Sequence, residues 1–416
     1  MLFNRARALG LMDQHRLDAL VGTSRHNVFY LGGLDGWAQA TYGDAATETF
    51  AAFFRREDQP PALIVSRQDE TYYAAGGSWI ADVRGYGPPS AMEIPPGARP
   101  ETPEEERLLR LLPGGGAPRE GNPAAALLRL LRDRGLSKGR IALDEEGLKP
   151  ATRAKLASSL PGAEWLDGAG LFRLIRLQKT GAEAERIREA AMVNERAVRT
   201  FHGALAEGRT EREVAALYYL AVAEAGGKWG WLHLAGGRRS ATIFPPSDRK
   251  FGRGDLFFFD AGMRLGGYSA DVGGCGAFGE PAAEHLREYG AIRAGLDAAL
   301  GAIREGVKPS EIFRAAVAGA RKGGMPSYGG SFCGHTIGIE PREFPYTLSE
   351  PAPVSDPFLP PTSDVPLPAG AVLSVELPSG RFGHGGVHCE FTVQVTREGS
   401  STWGLPSGRF IGCRGA

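Results

Sequence analysis

The chain has few cysteines, no excess of either charge and no long apolar run. Its four cysteines in 416 residues include no Cys-x-x-Cys pair, which suits a reducing compartment. Lysine plus arginine and aspartate plus glutamate each total 48, so no net field favours nucleic acid or an anionic membrane as a partner. Charged residues interrupt residues 1–20, unlike a signal peptide, and no later run is long enough to span a membrane. We therefore expect a cytoplasmic protein that binds neither nucleic acid nor membrane.

The length of 416 residues favours two domains of unequal size. Residues 1–165 alternate helical and strand patterns and predict a small α/β domain, with a short helix at residues 102–112 between loops rich in proline and glycine. Its predicted strands are the short apolar runs at residues 19–21, 51–54, 62–65 and 141–144. Residues 166–416 form the second predicted domain.

The second domain begins with helical patterns and ends with strands. The predicted helices are residues 182–205, 211–225, 282–304 and 310–322. Residues 345–368 contain eight prolines, which predicts a surface loop that cannot join a sheet.

Five potential metal ligands lie in the strand patterns of this second domain. Carboxylates and an imidazole that converge on one cleft repel one another unless a cation lies between them, and this set is rich enough in carboxylate to hold two divalent cations. Mostly oxygen ligands favour manganese, iron or cobalt over a four-coordinate structural zinc, although the order of affinities keeps zinc open. The five residues are Asp260, Asp271, His335, Glu376 and Glu390.

The first two ligands belong to a predicted hairpin. A two-residue loop at Leu265 and Gly266 would place Asp260 directly opposite Asp271. Like charges in that position, with side-chain roots about 5 Å apart, destabilise a sheet. The hairpin therefore requires a compensating cation.

The remaining ligands are placed by similar reasoning. In residues 387–395 the apolar residues alternate with polar ones, which puts Glu390 on the polar face together with His388. Glu376 closes an apolar strand, and the glycine-rich turn at residues 380–386 can fold it back beside Glu390. His335 has glycines on both sides, which allow a close approach to a metal.

Several motifs together resemble one family. They are the Asp and Gly-Tyr-x-x-Asp pattern at residues 260–271, Gly-His-x-x-Gly at residues 334–338, the paired glutamates with Gly-Gly-Val between them, and Asn-x-x-Tyr-Leu-x-Gly at residues 27–33. The chain resembles the pita-bread metallopeptidase family, which includes Xaa-Pro aminopeptidases, prolidases and methionine aminopeptidases, with creatinase as a metal-free relative. The resemblance covers nearly the whole chain.

The resemblance implies an α/β two-domain fold, with a small N-terminal creatinase-like α/β domain and a C-terminal pita-bread (α+β) catalytic domain. It also implies two divalent metal ions that hold a hydroxide, with Glu376 as the proton acceptor while it remains a ligand. A homodimer is implied as well, in which the amino domain, through Trp37 or the loop near it, helps to close the cleft of the neighbouring copy.

The chain departs from the family at positions around the ligands. Ile243 and Arg342 stand where peptidases of the family have histidines that bind substrate and stabilise the oxyanion. Arginine can donate hydrogen bonds but is too basic to exchange protons. Residues 273–275 read Gly-Gly-Cys where Thr-Arg-Thr is usual, and His388 replaces an arginine. Retained ligands with altered surroundings suggest a changed substrate more than an inactive enzyme.

Other side chains are candidates for the cleft. His384, on the glycine turn, could replace the missing imidazole, and His388 could orient Glu390. His233 is either a substrate contact or a packed histidine beside two tryptophans. Tyr268 and the pair Trp229 and Trp231 form either a pocket wall or core, whereas carboxylates such as Asp255 and Glu343 are expected to be solvated.

Three functions remain open at this point. The first is a metal-dependent hydrolase that cleaves a C–N bond, peptide or amide, in a small Xaa-Pro-like substrate, with Arg342 as a catalytic and substrate-binding contact. The second is a non-peptidase on the same scaffold, a small-molecule lyase or a specialised hydrolase, in which Arg342 binds a substrate carboxylate in a bidentate manner. The third is a metal-free binding module, against which the complete ligand set argues.

Overall fold

A computed structural model describes residues 2–403 and 410–413. The chain forms two compact units, one of Met1–Ile175 with Ser355–Leu359 and one of Arg176–Val354 with Pro360–Ala416. The first unit extends to Ile175 and includes the buried residues Leu171, Phe172 and Ile175.

The first unit is built on a seven-stranded mixed sheet with strand order β5-β4-β3-β2-β1-β6-β7. The pairs β1–β2 and β2–β3 are antiparallel and the others parallel. All four predicted strands are present. The strands are β1 Ala19–Gly22, β2 Phe50–Phe54, β3 Ala62–Ser66, β4 Asp82–Tyr86, β5 Arg119–Glu120, β6 Arg140–Leu143 and β7 Glu164–Asp167.

Eight helices surround this sheet. The helix predicted at residues 102–112 is present and begins at Pro103, with Thr102 accepting a hydrogen bond from the amide of Glu105. The helices are α1 Arg5–Gln14, α2 Arg25–Gly32, α3 Trp37–Tyr42, α4 Glu70–Tyr72, α5 Pro103–Leu111, α6 Pro123–Asp133, α7 Pro150–Ser159 and α8 Ala169–Leu177. With a π turn at Tyr73–Gly77, they complete the creatinase-like α/β unit.

The four helices predicted in the second unit are all present. They are α9 Gly181–Ala204, α10 Glu211–Glu224, α11 Ala283–Ala302 and α12 Pro309–Lys322. The first two begin with capping boxes, in which Thr180 exchanges hydrogen bonds with Glu183 and Thr210 with Glu213. Local sequence therefore determines where these helices start.

Two four-stranded sheets complete the second unit. Their orders are β15-β10-β9-β8 and β11-β12-β13-β14. The strands are β8 Lys228–Gly236, β9 Leu256–Leu265, β10 Tyr268–Phe278, β11 Gly334–Thr336, β12 Val372–Arg381, β13 Gly385–Val395, β14 Ser400–Trp403 and β15 Ile411–Cys413. The sheets meet where the Thr392 hydroxyl donates to the Asp271 carbonyl at 3.2 Å.

Strand alternation directs the functional side chains. Along β9, Phe257 and Phe259 pack into the core with residues of α9 and α10, so Phe258 and Asp260 point to the opposite face. On β13, Phe391 packs under the Arg293 guanidinium of α11 at 5.2 Å. The polar face predicted for residues 387–395 is thereby confirmed, and it meets the face that carries Asp260.

The predicted register of the hairpin between β9 and β10 is wrong by two residues. The two-residue loop is Gly266 and Gly267, so Leu265 pairs with Tyr268, and Asp260 lies opposite Gly273. A turn that matches the twist of the strands needs positive φ at both central residues, and these glycines have φ of 55° and 89°. The choice of this turn moves Asp260 and Asp271 to diagonal positions on the same face.

Residues 345–368 contain no named strand, only an isolated bridge from Pro353 to Thr362, as the prolines predict. None of the described helices is long and apolar enough to cross a membrane. Cys275, Cys333 and Cys389 are free and buried, while the side chain of Cys413 lies outside the described residues.

We predict that the turn tolerates a side chain at one of its glycines only. Gly267→Val should destabilise the protein by roughly 1–3 kcal/mol because a β-branched residue is strained at positive φ. Gly266→Asn is the matched control, since asparagine adopts φ near 55° readily, and its stability should remain within roughly 0.5 kcal/mol of the parent. Equal losses in urea unfolding would contradict the turn assignment.

Candidate metal centre

Five strands converge to bring the predicted ligands together. Ligand atoms of Asp271, His335 and Glu390 all lie within 4.8 Å of one another, and all three residues are buried. Nε2 of His335 is 3.3 Å from Oδ2 of Asp271 and 4.0 Å from Oε1 of Glu376. Asp260 points to the same face from β9, so all five candidates face one cluster.

Asp260 is held by a tryptophan on the neighbouring strand. The indole N–H of Trp231 donates to Oδ1 of Asp260 at 2.6 Å. The ring lies over Gly262, where a Cβ would be 2.1 Å from it. His233, two residues further along β8, is the direct cross-strand partner of Asp260, and its Nδ1 is buried without a hydrogen-bond partner. Trp231 and His233 therefore share the face of the cluster.

His335 presents an unprotonated nitrogen to the carboxylates. Its Nδ1 lies 3.1 Å from the carbonyl oxygen of Thr336, an acceptor that requires the proton on Nδ1. Burial lowers the pKa of His335, so the neutral ring is favoured. In that tautomer the Nε2 lone pair is directed toward Asp271 and Glu376, which is the arrangement of a metal-ligating imidazole.

Glu376 and Glu390 are direct cross-strand partners, as the sequence predicts. Oε1 of Glu390 accepts a hydrogen bond from the Ser374 hydroxyl at 2.5 Å. Nε2 of His388 lies 3.2 Å from Oε2 of Glu376, and its ring stacks on Phe258 with centroids 4.8 Å apart. The prediction that His388 orients Glu390 is corrected accordingly, because the imidazole binds the neighbouring ligand.

The carboxylates differ sharply in acidity. Burial, and then the negative charges of neighbouring carboxylates, raise the pKa of Asp271 and of Glu390 well above the usual range. Burial also opposes ionisation of Glu376, but the hydrogen bond from His388 and nearby positive charges lower its pKa. The same pairing outweighs burial of the imidazole and raises the pKa of His388 to about 9.

The residues present fit a divalent cation. Oδ1 of Asp271 and Oε2 of Glu390 are buried and have no hydrogen-bond partner among the described residues, a costly state for a carboxylate oxygen. An unprotonated imidazole nitrogen faces the same space, so the donor set combines oxygen and nitrogen in the manner of transition-metal sites. A cation among these atoms would remove both the repulsion and the unsatisfied oxygens.

Arg342 lies at the edge of the cluster. The guanidinium of Arg342 is 3.8 Å from Oε1 of Glu376 and lies over the Phe332 ring at 5.3 Å. Its side chain is 48% exposed, so a ligand can reach it. Ile243 is 54% exposed and offers no hydrogen bond.

Comparison with known families supports a metal site at these ligands. Residues 185–397 match the model of Metallopeptidase family M24, and residues 5–178 match that of the Creatinase/Prolidase N-terminal domain. The chain belongs to metallopeptidase family M24. The resemblance drawn from the motifs and the two-domain fold are thereby confirmed, and membership implies divalent metal ions at this site.

Individual relatives of this M24 protein are distant. It is 29% identical over 234 residues to the probable dipeptidase PepE of Mycobacterium tuberculosis, which covers 55% of this chain and 59% of that protein. It is 28% identical over 229 residues to the Xaa-Pro dipeptidase of Pyrococcus furiosus, covering 54% and 62%. An X-Pro aminopeptidase structure from Thermotoga maritima aligns with a TM-score of 0.75 at 21% identity, covering 97% and 100%, and shows the shared fold.

Three further candidates from the sequence have the following surroundings in this M24 protein. His384 lies in the turn between β12 and β13, beside residues 238–241, since the Gly386 amide donates to the Ser240 hydroxyl at 3.1 Å. Tyr268 is fully buried, with its hydroxyl 3.2 Å from Glu183, and has no surface for a substrate. Trp37 is 38% exposed on α3 of the first unit, where its ring stacks with that of Tyr72.

The prediction that Glu343, next to Arg342, is solvated is wrong. Glu343 is not solvated but buried, and burial is outweighed by Arg176 and Lys179, which lower its pKa to about 2. Asp255 is also paired, with Arg249 at 2.8 Å. In the sequence, the feature that connects Glu343 with the candidate site is its position next to Arg342.

We predict that the metal-free protein is destabilised by its own ligands. Glu390→Gln should raise the stability of the metal-free protein and abolish the stabilisation by Mn²⁺, which should otherwise reach about 2.7 kcal/mol at 100 times Kd. Because the folded pKa of Glu390 is raised, its contribution is favourable at acidic pH and is lost as pH rises through that pKa. The gain in the variant should therefore grow with pH.

Thermal unfolding with and without Mn²⁺ between pH 4 and 8 measures both effects. Glu185→Gln, an exposed carboxylate on α9, is the control and should change neither. A metal-free Glu390→Gln protein less stable than the parent at every pH would contradict the proposed repulsion.

Proposed function

We propose that this protein is a metal-dependent peptidase that cleaves the C–N bond of a small Xaa-Pro-like substrate. The observation that carries the proposal is the cluster of Asp271, His335 and Glu390, whose buried oxygens lack partners, within a chain of family M24. The curated relatives named as dipeptidases, including the Xaa-Pro dipeptidase of Pyrococcus furiosus, support the substrate class.

Two divalent ions, manganese, iron, cobalt or zinc, are proposed as the cofactors, held by Asp260, Asp271, His335, Glu376 and Glu390. Bound there, they would supply an activated water nucleophile and polarise the scissile carbonyl. The diagonal placement of Asp260 and Asp271 and the direct pairing of Glu376 with Glu390 offer carboxylates from both sheets.

Glu376 is the proposed proton acceptor. It is a buried carboxylate ligand whose pKa is lowered, so it is ionised at neutral pH and able to accept a proton. His388 fixes one of its oxygens at 3.2 Å, while Arg342 approaches the other at 3.8 Å. The orientation of the Glu376 carboxylate is thereby fixed by contacts to both of its oxygens.

Arg342 is the proposed contact to the substrate. Once cations neutralise the cluster, its guanidinium is an exposed positive group that remains without a counter-charge of comparable strength. In a dipeptide the terminal carboxylate lies one residue from the scissile bond, within reach of a group beside Glu376. His233, directly opposite Asp260 with a free Nδ1, is proposed as a second polar contact.

A non-peptidase enzyme on the same scaffold is the second candidate. It is favoured by Ile243 and Arg342, which leave no imidazole at either position for proton exchange. A small carboxylate-bearing compound would then occupy the same place. A metal-free binding module is the least favoured reading, because unsatisfied buried oxygens destabilise a protein that binds no cation.

We further propose a cytoplasmic homodimer in which Trp37 contributes to the substrate site of the partner copy. The exposed ring of Trp37 packs with Tyr42 at 5.4 Å and with Tyr72 at 6.4 Å, forming an aromatic surface on the first unit. Such a surface suits contact with a second chain or with an apolar proline ring.

The first test is turnover of Xaa-Pro dipeptides and tripeptides after loading with manganese, cobalt, iron or zinc. We expect metal-dependent release of the amino-terminal residue, with a loss of at least about 100-fold in Asp260→Ala. Metal binding without cleavage of any peptide would instead support the non-peptidase candidate. Absence of bound metal would support the binding module.

A second prediction concerns Arg342. Arg342→Ala should raise KM for a dipeptide by about 10- to 150-fold, the range for a lost charge-assisted hydrogen bond, while leaving KM for the dipeptide amide nearly unchanged. Arg342→Lys should restore part of the affinity. A loss of kcat on acid and amide alike would assign the guanidinium to the oxyanion and reject the carboxylate contact.

A further inference from the structure

A buried ion network lies directly behind Arg342. Glu343 is 3% exposed, and one of its carboxylate oxygens accepts from Nη2 of Arg176 at 2.7 Å. Its other oxygen accepts from Nζ of Lys179 at 2.5 Å, a group whose side chain is only 1% exposed. Arg176 also pairs with Glu340. Two cations and the Glu343 carboxylate are thus enclosed, while the Glu340 side chain is 33% exposed.

The same carboxylate closes the loop that leads to Arg342. Oε1 of Glu343 accepts from the amide of Ile339 at 3.0 Å, and the amide of Glu343 donates to the carbonyl of Thr336 at 3.2 Å. Thr336 returns a hydrogen bond from its hydroxyl to the Glu343 carbonyl. Residues 337–343 therefore start beside His335 and are tied back to the same strand.

The loop leaves little room for another arrangement. A Cβ at Gly338 would lie 2.5 Å from Oε2 of Glu343, so this glycine is needed for the carboxylate to reach both cations. Outside the loop, the amide of Ser269 donates to the carbonyl of Gly338 at 2.7 Å, which ties the loop to β10. Both ends and the middle of the segment are thereby attached.

A buried ion network of this kind is a poor source of net stability, because removing its charges from water offsets much of their attraction. The consequence of the network is instead the direction in which the neighbouring side chain of Arg342 points. Arg342 is covalently next to Glu343 yet points the opposite way, with an exposed guanidinium 3.8 Å from Glu376. Since Glu343 is anchored at every polar atom described above, the backbone direction at Arg342 is determined by it.

We infer that Glu343, held by Arg176 and Lys179, is a positioning residue that aims the Arg342 guanidinium at the substrate group beside Glu376. The inference rests on the proposed role of Arg342 as a substrate contact. Glu343 does not touch substrate itself, and it acts through the loop of residues 337–343.

A double-mutant cycle on the metal-loaded full chain tests this relation. Glu343→Gln should raise KM for the dipeptide about tenfold, the loss of one well-placed charged contact, with little change in kcat. In an Arg342→Ala background the same substitution should add less than about twofold, since residues that act as a unit are not additive. Additive effects on KM would overturn the inference.

Glu70→Gln is the matched control, because Glu70 is 1% exposed and paired with Arg119 in the first unit. This substitution also removes a buried carboxylate from its ion pair with an arginine, so it should lower thermal stability while leaving KM unchanged. If Glu70→Gln shifts KM as much as Glu343→Gln does, the effect is general destabilisation and the positioning role is rejected.

Hydrogen exchange and arginine modification separate this inference from the proposed function. In Glu343→Gln, amides of residues 337–343 should exchange at least about tenfold faster than in the parent, and the reaction of Arg342 with phenylglyoxal should change in rate. If these rates change but Arg342→Ala has no effect on KM, the conclusion that Glu343 positions the loop is kept and the substrate contact of Arg342 is rejected. Unchanged exchange and modification would overturn the positioning role, whatever the activity.

Discussion

Repulsion among buried carboxylates is the constraint on which the second unit depends. Asp271 and Glu390 come from two different sheets, each is buried, and each has an oxygen without a hydrogen-bond partner. Burial and the neighbouring negative charges raise the pKa of both, so the ionised pair is unstable without a cation. The same two sheets are joined by the hydrogen bond from Thr392 to the Asp271 carbonyl. Metal binding and packing of the two sheets are therefore coupled through the same few residues.

The charges around the cluster are distributed unequally, and this inequality distinguishes the ligands. His388 and Arg342 both approach Glu376, which keeps that carboxylate ionised, whereas burial and the neighbouring carboxylates raise the pKa of Glu390 despite the attraction of His388. Gly273 and His388, two departures from the family pattern, are also related in the structure. A Cβ at Gly273 would lie 2.2 Å from the His388 ring and 2.4 Å from Oε2 of Glu390. The glycine therefore makes room for the imidazole that replaces the usual arginine.

The cleft side chains are supported by packing on the opposite faces of their strands. Phe257 and Phe259 bury one face of β9 against α9 and α10, which directs Asp260 to the other. Arg176 and Lys179 play a similar part for the loop after β11, since they enclose Glu343 and leave Arg342 exposed. In both cases burial of one residue determines the direction of its neighbour. The electrostatic character of the cleft is thus a product of the core around it.

The sequence by itself determined which residues are ligand candidates, which segments are helices and strands, and which face of β13 is polar, because capping boxes and apolar periodicity act within a few residues. The structure corrected the register at Asp260, although the local sequence already carried the signal: glycine supplies positive φ at both Gly266 and Gly267, whereas Leu265 does not favour it. Only the tertiary structure decided that Glu343 is buried, because its burial depends on residues distant in the chain. The contact of Glu343 with a residue distant in the chain, such as Arg176, produces no periodic pattern in the sequence.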